Sequence, residues 1–213
     1  MRVTVFGATG AIGQHVVKDL LIAGHAVMVY VRKPGKIPAS WRRGVDIIVG
    51  ELADADAIDQ AISETDAVIS ALGPSLDRKQ TGLPLVEGTS NIVAAMKRHG
   101  VRRYVGHGTP SVLDPRESGT LQTRLIAFTA RTIFPRAYKE MLAMSDVVMN
   151  SGLDWTIVRF IAPRDGVAKG VKHEGFFGVN KIGFTVRRAD IASFTVAQLD
   201  SDKYLNAAPA ISN

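Results

Sequence analysis

The stretch "VTVFGATGAIG", residues 3–13, places Gly7, Gly10 and Gly13 directly after a run with strand character. Each glycine gives up side-chain packing and adds to the entropy lost on folding, so three at this spacing mark a backbone that must turn sharply or admit a close neighbour. Beyond them Ile12, Val16, Val17, Leu20 and Leu21 recur at helical spacing until Gly24. That pattern predicts a strand, a tight turn and a helix. In such a turn the backbone N–H groups and the positive end of the helix dipole face one point, which suits a pyrophosphate. Gly7 then permits the turn, Gly10 the approach of the phosphates, and Gly13 the packing of helix on strand. Thr9, Ala11 and Ile12 complete the expected cofactor loop.

Outward from this unit, strand and helix alternate. "AVMVYV", "VDIIVG", "DAVISALG" and "RRYVG" read as further apolar strands. Asp54 is placed to cap a helix through Ile58 and Ile62, and Leu85, Thr89, Ile92, Val93 and Met96 form one stripe of a longer helix. "LQTRLIAFTARTIFPRAYKEMLAMSDVVMNSG" reads as mostly helical, "DWTIVRF" as a sixth strand, and "VRRADIASFTVAQL" as a last helix with Asp190 near its start. Near-continuous apolar strands joined too closely for hairpins predict an α/β fold, a doubly wound parallel sheet of Rossmann type in a single domain spanning 1–213. Such sheets bind ligands beyond the carboxyl ends of their strands. Those ends are Gly7 to Gly13, Arg32 and Lys33, Glu51 with Leu52, Ala71 to Gly73, and Gly106 to Ser111.

Composition removes other classes. The apolar fraction of 46% fills one core at 213 residues, whereas no apolar run reaches the length of a membrane span. The first strand starts at Arg2, which leaves no room for a cleaved signal, so the expectation is a soluble, cytoplasmic protein without a membrane partner. The absence of cysteine excludes disulfides and thiolate chemistry, and five scattered histidines offer no ligand pair, so no metal site is expected. The net charge of +6 rests on basic pairs far apart, Arg42–Arg43, Arg102–Arg103 and Arg187–Arg188, with no basic stripe for nucleic acid.

Which dinucleotide follows from the end of the second strand. An NAD site usually ends that strand with a carboxylate for the ribose hydroxyls, but here Tyr30-Val31-Arg32-Lys33 ends it with two cations. Arg32 can fork onto a 2′-phosphate and Lys33 can face it as a point charge, which favours NADP over NAD.

Taken in order along the chain, "TVFGATGAIGQHVV", "SALGP", "NIVAAMKRHGVRRYV", "SGLDWTIVR" and "RRADIASF" resemble the atypical short-chain dehydrogenase/reductase group that includes NmrA-like proteins, NAD(P)H-flavin reductases and biliverdin reductase B. The resemblance covers nearly the whole chain. It implies that the glycine loop holds the pyrophosphate, that Arg32 and Lys33 hold the adenosine phosphate, and that Glu51 stands near the adenine where relatives commonly have Asp. Ala71, Leu72 and Gly73 would pass beneath the ribose. Where relatives often carry paired hydroxyls after the fifth strand, this chain has Gly108 and Thr109. The Tyr/Lys pair of many short-chain dehydrogenases is missing, since Leu142 stands four residues beyond Tyr138. Tyr138 therefore reads as a packed or surface aromatic, and Phe160 replaces the usual proline after "TIVR".

Three residues near the fifth strand are the catalytic candidates. Thr109 is the expected orienting hydroxyl, Ser111 is second to it, and His107 can serve as proton donor or turn inward as a core histidine. The acceptor site is expected mainly within 107–190. A site without a strong general acid suits NADPH-dependent hydride transfer to a small flat acceptor such as a flavin or quinone, with FMN or FAD as substrate. A non-catalytic NADP(H) sensor acting through a protein partner is the alternative, and an epimerase- or dehydratase-like enzyme is a second. Either a monomer or a homodimer fits. The apolar segment Asp114–Tyr138 is expected to form a helical flap whose Phe128 or Phe134 walls the acceptor site.

Overall fold

The computed structural model describes residues 1–213 apart from Arg43 and Arg78, so the Arg42–Arg43 pair lies partly outside the described residues. Its first unit is strand β1 (Arg2–Phe6), the glycine turn and helix α1 (Gly13–Ile22). Strands β2 (Ala26–Val31) and β3 (Val45–Val49) follow, then α2 (Ala55–Ile62), β4 (Ala67–Ser70), α3 (Pro84–Arg98) and β5 (Arg103–Gly108). The second half runs through α4 (Leu121–Ile133), α5 (Pro135–Met149), β6 (Asp154–Arg159), β7 (Ala162–Arg164), β8 (His173–Gly175), β9 (Thr185–Arg187), α6 (Arg188–Ala197) and β10 (Ala210–Ser212).

Eight strands form one sheet in the order β3-β2-β1-β4-β5-β6-β10-β8, and β7 pairs with β9 separately. Every pair from β3 through β10 is parallel, while β8 closes the edge antiparallel to β10. Strand order reverses between β1 and β4, which opens a crevice at their carboxyl ends. Register aligns Phe6 with Ser70 and Ser70 with Gly106, so the loops after β1, β4 and β5 leave the sheet at one level. The six strands read from sequence are all present. The small strands β7 to β10 extend that expectation; at three residues each they carry too few side chains for alternation to show.

The period-two pleat sorts the core. Val3, Val5, Val27 and Val29 face α1 and α6, whereas Phe6, Tyr30, Val68 and Tyr104 face the side of α2 and α3. Burial of this kind contributes roughly 1.5–3 kcal/mol per large apolar side chain. Helix starts follow local chemistry. Ala57 N–H donates to Asp54 Oδ1 at 3.0 Å, which caps α2 as the sequence predicts. Thr120 and Thr123 form a reciprocal capping box on α4. Pro135 divides the long helical stretch in two, because it holds the preceding Phe134 outside helical geometry (φ −129°, ψ 57°). No helix among the described residues is long and apolar enough to cross a membrane.

Candidate cofactor and acceptor site

The glycine turn is fixed by contacts that exclude any side chain. Gly7 has φ +75°, and a Cβ there would lie 2.7 Å from the Ala71 carbonyl carbon at the end of β4. A Cβ on Gly13 would stand 2.2 Å from the Gly7 oxygen and 2.8 Å from the Ala8 Cα, so α1 starts pressed against the turn. Gly10 closes the turn by donating its N–H to the Gly7 carbonyl at 3.0 Å.

No side chain caps α1, whose N-cap is Ile12. The amides of Ala11, Ile12 and Gly13 find no acceptor among the described residues. Unpaired amides at an uncapped helix start form a cradle for an anion, so these residues fit a dinucleotide pyrophosphate. At the end of β2, Arg32 and Lys33 are exposed and make no ion pair among the described residues, which leaves both charges open to a phosphate. Glu51 is exposed and its carbonyl accepts from the Tyr30 hydroxyl at 2.8 Å, while the Leu52 carbonyl accepts from Asn91 Nδ2 at 3.0 Å. Beyond β4, Ala71 and Leu72 back onto Gly7, and Gly73 faces open space.

Beside this crevice lies a cavity of about 270 Å³ with a mostly apolar wall. Thr109 and Ser111 line it from the β5 loop, Phe160 and Ile161 from the end of β6, and Phe134, Tyr138 and Met141 from α5 and its entry. Pro74 and Leu76 close it from the β4 loop. Buried charge positions that closing wall: Glu140 accepts from the Leu85 amide at 2.9 Å and from Arg136 at 2.7 Å, and Arg136 donates on to the Ser75 carbonyl. The carboxylate thereby caps α3, which lacks a side-chain cap of its own, and ties α5 to the β4 loop.

Three expectations change. His107 turns inward: its Nε2 lies 3.0 Å from Thr195 Oγ1 on α6, its ring packs edge-on against Phe160, and it is absent from the cavity lining. Burial pushes its pKa down to about 4, which leaves a neutral ring with no proton to give at neutral pH. Strand alternation had left both orientations open, and packing against α6 selects the inner one. Tyr138, set aside from sequence as packed or on the surface, lines the cavity with Thr109. Of the two phenylalanines expected in a flap, Phe134 lines the cavity, but Phe128 is 67% exposed on the outer face of α4.

The family model described as NAD(P)H-binding matches residues 7–202. The chain belongs to this NAD(P)H-binding family. Over 118 residues it is 35% identical to a 2-alkyl-3-oxoalkanoate reductase of Stenotrophomonas maltophilia, across 53% of this chain and 34% of that protein. The chain spans about a third to a half of the length of the first curated relatives it matches. Among solved structures, an anaerobillin reductase from Escherichia coli O157:H7 superimposes with a TM-score of 0.80 at 17% identity, covering 100% of this chain and 97% of that one. A short-chain dehydrogenase/reductase from Veillonella parvula in complex with NADP gives 0.78 at 17% identity, over 100% and 94%. These likenesses establish the Rossmann-type fold.

Packing leaves no room for a side chain at position 108. A Cβ on Gly108 would lie 2.7 Å from Ile157 and 3.2 Å from Arg159. Arg159 fills that space because it is fully buried, donating to the Ala208 and Val112 carbonyls at 2.6 Å each and pairing with Glu117.

Proposed function

We propose that the protein is an NADPH-dependent reductase that delivers hydride to a small flat acceptor, a flavin or quinone, seated in the cavity beside the β5 loop. The observation that carries this reading is the position of that apolar cavity, which opens from the loops after β4, β5 and β6 where a bound dinucleotide would end. When bound, the reduced nicotinamide supplies the hydride. The chain's own contribution is position: the unpaired amides of Ala11 to Gly13 hold the pyrophosphate, and Arg32 with Lys33 select the 2′-phosphate. Phe134, Phe160 and Met141 hold a flat ring and exclude water, and the Thr109 hydroxyl orients it. Neither Tyr138 nor Thr109 has a lysine at the following turn to assist proton release, and acceptors that take their proton from solvent need none.

The experiment is to mix the protein with NADPH and a panel of flavins and quinones while following nicotinamide absorbance. Turnover with a flat acceptor is the expected result. Tight NADPH binding without oxidation by any flavin, quinone or small carbonyl would replace the reductase with the sensor. The outer face of α4 favours that rival, since Leu121, Leu125 and Phe128 are 86%, 65% and 67% exposed, as a protein-docking surface would be.

A further inference from the structure

A second cavity, of about 380 Å³, lies where the C-terminal strand meets the β7–β9 ribbon. Four cations line it, Arg164, Lys169, Lys172 and Arg187, with Thr185 and Asn213 completing the polar wall. None of the four makes an ion pair among the described residues. The carboxylates nearby are engaged elsewhere. Asp165 pairs with Arg188 at 2.6 Å, and buried Asp190 accepts from the Lys169 and Gly170 amides and from Asn213 Nδ2. Three of the four are exposed, so water screens their repulsion, and the concavity presents their charge to an anion that enters.

Strand β7 links this cavity to the apolar one. Ile161, just before β7, lines the apolar cavity, and Arg164 at its far end lines the basic one. Three residues of extended chain separate the two by roughly 10 Å. We infer that the basic cavity is an anion subsite of the acceptor, so that the acceptor is a flat apolar ring bearing a phosphate or carboxylate on an arm of about that reach. The inference rests on the proposed reductase reading and narrows its substrate to anionic acceptors. Arg164 presents a planar fork matched to such oxygens, Arg187 offers what remains after its Nη1 donates to the Asp165 carbonyl, and Lys169 and Lys172 add point charge.

The test uses two matched pairs of probes on NADP⁺-saturated protein: riboflavin against FMN for a phosphate arm, and a naphthoquinone against its carboxylate-bearing derivative for a carboxylate arm. Affinities are read by flavin fluorescence or calorimetry at two salt concentrations. In at least one pair the anionic member is expected to bind about tenfold or more tighter, a preference that shrinks with added salt. Which pair shows it distinguishes the phosphate from the carboxylate. The Arg164 and Lys172 side chains make no hydrogen bond or ion pair among the described residues, so the double variant Arg164→Gln, Lys172→Gln removes charge without removing an internal contact. In it the preference should fall toward one. No preference in either pair, a preference that survives the double variant, or a loss of NADP⁺ affinity in that variant would overturn the subsite. If the preference holds but no probe oxidises NADPH, the reductase reading fails and the acceptor goes with it, leaving an anion-binding cavity; turnover without preference sinks the subsite alone.

Discussion

The two ends of the crevice are built from different materials. At the β1–α1 turn the groups proposed to face the cofactor are main-chain amides, and Gly7 and Gly13 are there because backbone lies within 3 Å of where their side chains would be. At the β5 and β6 end the surface is made of side chains drawn from α4, α5 and the loops after β4, β5 and β6. A site made of backbone constrains residue type at fixed spacing. A site made of side chains constrains only volume and polarity, which many sequences satisfy.

The sharpest way to break this comparison is Gly13→Ala. Its methyl must displace the Gly7 carbonyl or the start of α1, and overpacking of this kind costs about 1–3 kcal/mol. NADPH affinity measured by calorimetry should fall on the order of 100-fold, with a lower Tm. Normal affinity in that variant would show that the turn is not the phosphate cradle.

On the side-chain end, His107 is a packing element with a pH signature. Its folded pKa of about 4 lies below the ordinary 6.5, so between those values the unfolded chain takes up a proton that the folded chain refuses. Stability should therefore fall as pH drops from about 6.5 to about 4, by roughly 3 kcal/mol, and level off below. Thermal melts across that range should show the loss, and His107→Asn should flatten it. An equal slope in the variant would assign the acid sensitivity to carboxylates instead.

Arg32→Ala tests the far end of the cofactor. The unmutated protein should bind NADPH more tightly than NADH, and the variant should lose about tenfold of that gap while NADH affinity stays nearly constant. Equal affinities before mutation would remove Arg32 and Lys33 from the site.

The smallest effects separate two of the three hydroxyl residues that line the cavity, Thr109 and Tyr138. Thr109→Val should lower the hydride-transfer rate about three- to tenfold, the worth of one neutral hydrogen bond. Tyr138→Phe should change it by less than about threefold, because the proposed acceptors draw their proton from solvent. A fall of several orders of magnitude in Tyr138→Phe would reveal a proton donor and reverse the ranking.

The same contrast decides what can be read from sequence. The first six strands, the Asp54 cap and the inner stripe of α3 follow from periodicity and capping alone, because each repeats over enough residues to show a pattern. The division at Pro135 was written in its residue type. The inward turn of His107 was not, because it depends on Thr195, 88 residues away. Tyr138 was passed over for a related reason: its neighbour at the fourth position is Leu142, so it lacks the local partner that marks a general acid. Its place in the cavity comes from the packing of α5 on α3 and α4 and from the Arg136 tie between α5 and the β4 loop. The basic cavity left a trace as scattered lysines and arginines, but only the pairing of β7 with β9 and the arrival of Asn213 bring them together.

Strand β10 sits between β6 and β8, and the segment just before it supplies the Ala208 carbonyl that Arg159 grips. During synthesis the N-terminal part of a chain folds first. Here the α1 side of the sheet stays only partly covered until α6 packs on it, and β8 has no neighbour until β10 slides in beside it. The same late segment brings Asn213, whose side chain fastens the 169–170 turn to Asp190. Both ends of the crevice are thus spelled by residue 161, while the helix and strand that brace them arrive last, so a nascent chain would carry the outline of the site before its support.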